Sequence, residues 1–404
     1  MEPAVAGQTL SSLVRGLLPG GRPRAALLLF LGLGLLAGCR TGGAPRIAEH
    51  WRVGLGARGM SLDDGGRRLA VVCRRSNDVW VLSLPDGALE ARVDTLPRPR
   101  AVLLRPDGDG FYVAEGLSNV ALVGMADQRV ERSFRPYLPI GSFAFEPTTR
   151  RLFCAQVGLP TLGVYRPSDM HLETSLDVGG EVQAVAFDGA DGWVVTRQAD
   201  ALVRVSLKEM NVQTGALAGP DPRGLALDLD SGLAYVPCHG RAGAVSALAL
   251  PSPAVEAASV SPDADNADAA AAGALPAPAG RSRNTQAALD AQEDAVIPAA
   301  AAFHRYDGSG VAVLRLRDVR RVDYIDVPGG PVAAVLAPSR RLLAVACEDG
   351  MLRLVDLRGR RVAAALDLEG RPGAMLPDPD GLSLLVALSS AKVVERVLPG
   401  AGWR

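Results

Sequence analysis

Lysine is nearly absent from the chain: Lys208 and Lys392 are the only two, so almost all of its 43 basic residues are arginine. They are balanced by 44 acidic residues, a composition with no net field to gather nucleic acid or an anionic surface. Arginine clusters therefore count for little by themselves, because every surface cation here has to be arginine. No Cys-x-x-Cys-His occurs, which removes covalent c-type haem. No Gly-x-Ser-x-Gly elbow and no His-Glu-x-x-His occur, which removes the commonest serine-hydrolase and zinc-protease signatures. Four tryptophans, Trp51, Trp80, Trp193 and Trp403, form no periodic motif. Outside the N-terminus no segment carries a long apolar stripe of period 3.6, so coiled coil and a parallel α/β sheet are excluded.

The N-terminus carries an address. Arg15, Arg22 and Arg24 precede an apolar run over 25–36, which ends Leu36-Ala37-Gly38-Cys39. A basic flank, a dozen apolar residues and small residues before a cut describe an export signal rather than a spanning helix. The ending resembles a bacterial lipobox, which implies cleavage after residue 38, lipid on Cys39 and a short tether over 39–45. Arg40 follows the cysteine, not the aspartate associated with inner-membrane retention. The resemblance thus implies an outer-membrane lipoprotein facing the periplasm, with inner-membrane or surface display as alternatives. Several buried acyl chains would supply the membrane affinity.

Downstream, one pattern repeats. The octets "GMSLDDGG" (Gly59), "AVLLRPDG" (Ala101), "SFAFEPTT" (Ser142), "AVAFDGAD" (Ala184), "GLALDLDS" (Gly224), "QAALDAQE" (Gln286), "AAVLAPSR" (Ala333) and "GAMLPDPD" (Gly373) alternate apolar residues and end in turn formers. Each is followed by a second strand such as "RRLAVVC" or "RLLAVAC", a polar loop, a third such as "DVWVLSL", and a fourth such as "RVDYIDV". Four antiparallel strands every 40 or so residues predict an all-β propeller. The octets count eight four-stranded blades over 46–404, or seven if the weakest, at Gln286, is discounted. The last repeat offers three strands, so "RIAEHWRVG" over 46–54 is expected to supply the fourth and close the ring. Residues 261–284, "SPDADNADAAAAGALPAPAGRSRN", read as a disordered insert joining the outer strand of blade five to the inner strand of blade six. "PDPDG" and "RPDGDG" read as turns and lack the rest of a calcium loop.

The strand "LAYVPC", with "FYVAEG" and "RRLAVVCRRSNDVWVLSL", resembles the YVTN-type bacterial propeller repeat. The final Asn of that motif is missing throughout; Cys73, Glu115, Gln156, Arg197, Cys238 and Cys347 take its place. The resemblance implies the fold and little about activity, because propellers host many chemistries.

In such a blade the loop after strand two and the connection to the next blade share one face. That rim gathers His239, His304, Arg74, Arg75, Glu115, Arg197 and Arg241, with Arg58, Arg100, Arg223 and Arg371 just before inner strands. Together they are candidates to line a funnel for a small anionic ligand, against the plainer reading of surface loops that hold cations. Two histidines fall short of a zinc site, so no metal and no cofactor are expected, and catalytic residues are unassigned. His50 and His171 fall on outer strands and carry no signal. Cys73, Cys154, Cys238 and Cys347 alternate between blades in the eight-blade count, too far apart for disulfides. The expectation is a non-enzymatic module that binds an envelope protein. The rival, implied by similar bacterial propellers, is a lactonase-like hydrolase or a carrier of quinone or d-type haem cofactors, with His239 and His304 as ligand or base.

Overall fold

The second strand of a repeat and its last strand carry different sequences for a physical reason. "LLAVAC" (Leu342–Cys347) is buried at every position, whereas "RVAAALD" (Arg361–Asp367) alternates exposed and half-buried residues. A strand inside a blade is covered on both faces by neighbouring blades and has to be apolar throughout; the outermost strand meets water and needs only half of its residues apolar. The computed structural model describes residues 43–136, 138–240 and 308–404, and these form seven four-stranded antiparallel sheets.

Blade one comprises Ala57–Leu62, Arg68–Cys73, Asp78–Ser83 and Leu89–Asp94, in order from the inner strand outward. Blades two, three and four start at inner strands Ala101–Leu104, Ile140–Glu146 and Val182–Phe187. Blade five is Ala226–Asp228, Leu233–Cys238, Gly310–Arg315 and Arg320–Asp326. Blade six runs from Pro331–Leu336 to Arg361–Asp367. Blade seven takes Pro372–Pro377, Leu384–Leu388 and Val393–Leu398 from the C-terminus, and its outer strand, Arg46–Arg52, from the N-terminus.

The count is seven, the smaller of the two numbers that the octets allow. The sixth octet, at Gln286, lies outside the described residues. The register explains the difference: Leu233–Cys238 pairs directly with Gly310–Arg315, Cys238 opposite Gly310. Residues 241–307 therefore sit between strands two and three of one blade. The expected link from blade five's outer strand to blade six corrects to this internal position, because "GVAVLRL" and "RRVDYIDV" complete blade five itself. The stretch 261–284 lies outside the described residues.

Seven apolar clusters hold the ring, each drawn from two adjacent blades. The cluster between blades seven and one packs Trp51, Leu385 and Val394 against Leu69, Val71 and Leu82, so the circle closes. Trp51 lies over the turn at Gly87, where an added Cβ would stand 2.3 Å from the indole at a φ of +66°. Only glycine admits that approach. Arg396 ties the closing strand further, donating to Glu49 at 2.9 Å and to Asp378 and Asp380 at 2.8 Å each. Asp380 also accepts the Leu382 and Ser383 amides, the Asx geometry of a strand turn, as read from "PDPDG".

All four cysteines of the described residues are free and buried. Cys238 and Cys347 now fall in adjacent blades, five and six, yet they pack in different interfaces, Cys238 toward blade four and Cys347 toward blade five. Burial pushes the Cys73, Cys238 and Cys347 thiols up to about 12, so they serve as inert apolar filling.

Candidate functional site

A single backbone hydrogen bond sets the rim. In blades one, three, four, five, six and seven, the first residue after strand two donates its amide to a carbonyl just before the inner strand. The pairs are Arg74 to Gly56, Val157 to Pro139, Arg197 to Glu181, His239 to Asp221, Glu348 to Gly330 and Ser389 to Arg371, all at 2.8–3.0 Å. Arg74, Arg197, His239 and Glu348 are thus equivalent positions. The register also corrects the motif alignment: Val182 faces Thr196 as Ala57 faces Cys73, so Thr196, not Arg197, stands in the terminal motif place of blade four. A second equivalent position is the extra residue of an inner-strand bulge, held by Arg58 in blade one. Arg223 matches it in blade five, where the bridge Pro222–Cys238 precedes it.

Across blades four to seven these positions form one chain of alternating charge. Arg197 Nη1 stands 4.0 Å from Glu181 Oε2, and its Nε lies 3.0 Å from Asp221 Oδ1. Asp221 accepts from Arg223 at 2.7 Å and faces His239 Nδ1 at 3.6 Å. His239 Nε2 meets Glu348, which also faces Arg371 at 3.8 Å. The sequence named Arg197, Arg223, His239 and Arg371; it missed the three carboxylates that bind them together. Asp221 and His239 are buried, and Gly330 lies so near the imidazole that a Cβ would stand 2.7 Å from Nε2. The hydrogen bond from His239 holds the Glu348 carboxyl below its ordinary range, with Arg371 and Arg223 adding to the effect.

Three guanidiniums facing three carboxylates leave this arc balanced rather than positive. Both imidazole nitrogens of His239 face acceptors, Nδ1 the Gly240 carbonyl and Asp221, Nε2 Glu348. Neither nitrogen is presented outward as a base or a ligand.

Blades one and two make a different arc. Glu115, a sequence candidate, is buried and structural: it accepts the Leu96 amide and the Asn119 side chain, both at 2.8 Å. It fixes the loops that hold Leu96 and Leu117, which are 50% and 71% exposed. Arg58 and Arg75 are exposed, Arg74 is buried and Arg100 is half-buried; each is engaged by neighbouring groups. The two leucines escaped the sequence reading because an exposed Leu beside a turn looks like any strand residue. Cys39, Arg241 and His304 lie outside the described residues. His50, set aside in the sequence, stands in a second acid–imidazole cluster at the ring seam.

Among the described residues no helix is long and apolar enough to cross a membrane. No family profile matches the chain, and no curated protein matches it significantly.

Proposed function

We propose that the protein is a lipid-anchored β-propeller of the cell envelope, facing the periplasm from the outer membrane, that binds another envelope protein through the blade one–two arc of its rim and catalyses no reaction. The observation that carries this reading is the pair of exposed leucines, Leu96 and Leu117, on loops fixed by the buried Glu115 carboxylate. Exposed apolar anchors on loops that lose little entropy on docking are what a protein interface uses. The balanced arc over blades four to seven supports the same reading, because its histidine and three arginines already face carboxylates within the ring. The lipobox resemblance at Cys39 supplies the anchor.

The test is crosslinking in intact membranes, capture of the full-length protein and identification of what it carries. Leu117→Glu and Leu96→Glu are expected to cut recovery of one specific envelope protein about tenfold or more, while leaving the fold intact. Cys39→Ala is expected to release the protein from the membrane fraction. A visible chromophore in the pure protein, or hydrolysis that disappears in His239→Ala, would overturn the reading in favour of a cofactor carrier or hydrolase.

A further inference from the structure

One side chain sits where the repeat has no use for it. The third residue of strand three is Trp80, Ala121, Gly163, Val203, Ala312 and Arg353 in blades one to six, and Glu395 in blade seven. Glu395 is fully buried. Its Oε1 accepts the Glu369 amide at 2.9 Å, and its Oε2 has no hydrogen-bond partner. A buried carboxylate with an orphaned oxygen is costly unless a cation or a proton completes it. Among the described residues no arginine or lysine pairs with it.

Its other oxygen, Oε1, faces a ligand set. His50, on the closing strand, is directly opposite Glu395 in register. His50 Nε2 lies 4.0 Å from Glu395 Oε1 and 3.4 Å from Glu369 Oε1, on the connection between blades six and seven. One donor atom from each of the three lies within 4.8 Å of the others. The imidazole–carboxylate separations are too long for good hydrogen bonds. The 3.4 Å separation equals the edge of a zinc tetrahedron with bonds of about 2.05 Å, and the 4.0 Å one reaches it if the side chains close by about half an ångström. One imidazole and two carboxylates suit a borderline ion of the zinc class better than calcium or magnesium, which take oxygen ligands.

We infer that His50, Glu369 and Glu395 bind one divalent ion of the zinc class, water completing its shell, and that this ion clamps the N-terminal strand into blade seven. Each ligand comes from a separate stretch of chain: the closing strand, the blade six–seven connection and the strand it pairs with. Binding at this point is therefore binding to the closed ring alone, and it stabilises that state by mass action.

The full-length protein in detergent, stripped with a chelator, is titrated with ZnCl2 by calorimetry and followed by thermal unfolding. One equivalent is expected to bind and to raise the unfolding midpoint. His50→Gln and Glu369→Gln, both on the exposed side of the site, are expected to bind at least about tenfold more weakly and to lose the shift, while His171→Gln behaves as wild type. An unchanged wild-type midpoint with zinc would overturn the assignment. So would equal binding by the His50 and Glu369 variants, or an equal shift from calcium or magnesium.

Discussion

The ring carries two histidine–glutamate contacts, one joining blades five and six and one inside blade seven at the closing strand, and they are built in opposite ways. At the rim, Glu348 is half-buried and receives His239, with Arg371 and Arg223 nearby. At the seam, Glu395 is fully buried and receives one backbone amide, with Glu369 and Asp367 as its acidic neighbours. The carboxyls shift in opposite directions: donors hold Glu348 down, whereas desolvation pushes Glu395 up. The lesson concerns compensation rather than burial. A carboxylate surrounded by donors is a finished structural element, and one short of donors is a place still waiting for a partner.

The largest effect tests whether the seam depends on its apolar lid or on its charges. Trp51 is buried against blade one and lies one residue from His50. Trp51→Ala is expected to cost about 3–5 kcal/mol in denaturant unfolding, the range for emptying a large aromatic site. Gly87→Ala is expected to act in the same direction, because its Cβ collides with the same indole. If Trp51→Ala unfolds within about 1 kcal/mol of wild type, the closing strand is held by Arg396 and the backbone ladder instead.

The next effect has opposite signs at the two sites, and so sharpens the contrast. In chelator, Glu395→Val installs the residue that blade four already uses at Val203, and is expected to stabilise by about 1–3 kcal/mol. At the rim, His239→Ala removes the main donor to Glu348 and opens a space beside Gly330, and is expected to destabilise by about 1–2 kcal/mol. Equal signs would mean that Glu395 is as well compensated as Glu348.

Much of this was legible in the chain. The alternating octets with their turn residues, the continuous apolar second strands such as "LLAVAC" and the missing fourth strand of the last repeat together implied a closed propeller. The blade count was less so: "QAALDAQE" has the composition of an octet, and only pairing Cys238 with Gly310 shows that blade five is complete without it. At the rim, Arg197, Arg223, His239 and Arg371 could be named because each follows a recognisable strand. Glu181, Asp221 and Glu348 could not be assigned to them, since those contacts join separate blades and depend on register. His50 was invisible for the same reason on a larger scale. Its partners lie more than 300 residues away, and a local pattern holds only the outer-strand position.

The smallest effect is the acid limb of stability. The Glu348 carboxyl titrates below its ordinary value of 4.5 in the folded ring, so the unfolded chain binds more protons than the folded one at mildly acid pH. Its contribution is therefore complete above the unfolded value and is lost as pH falls through the lowered folded value. The groups facing it are His239, Arg371 and Arg223. Glu348→Gln is expected to be less stable than wild type at neutral pH, and the two denaturation curves should converge as pH falls through the lowered folded value. The carboxylate is partly exposed, so solvent screening keeps the gap modest. Parallel curves across that range would mean that the hydrogen bond from His239 does not favour the ionised carboxylate, and the rim arc would then owe its order to packing around the imidazole rather than to charge.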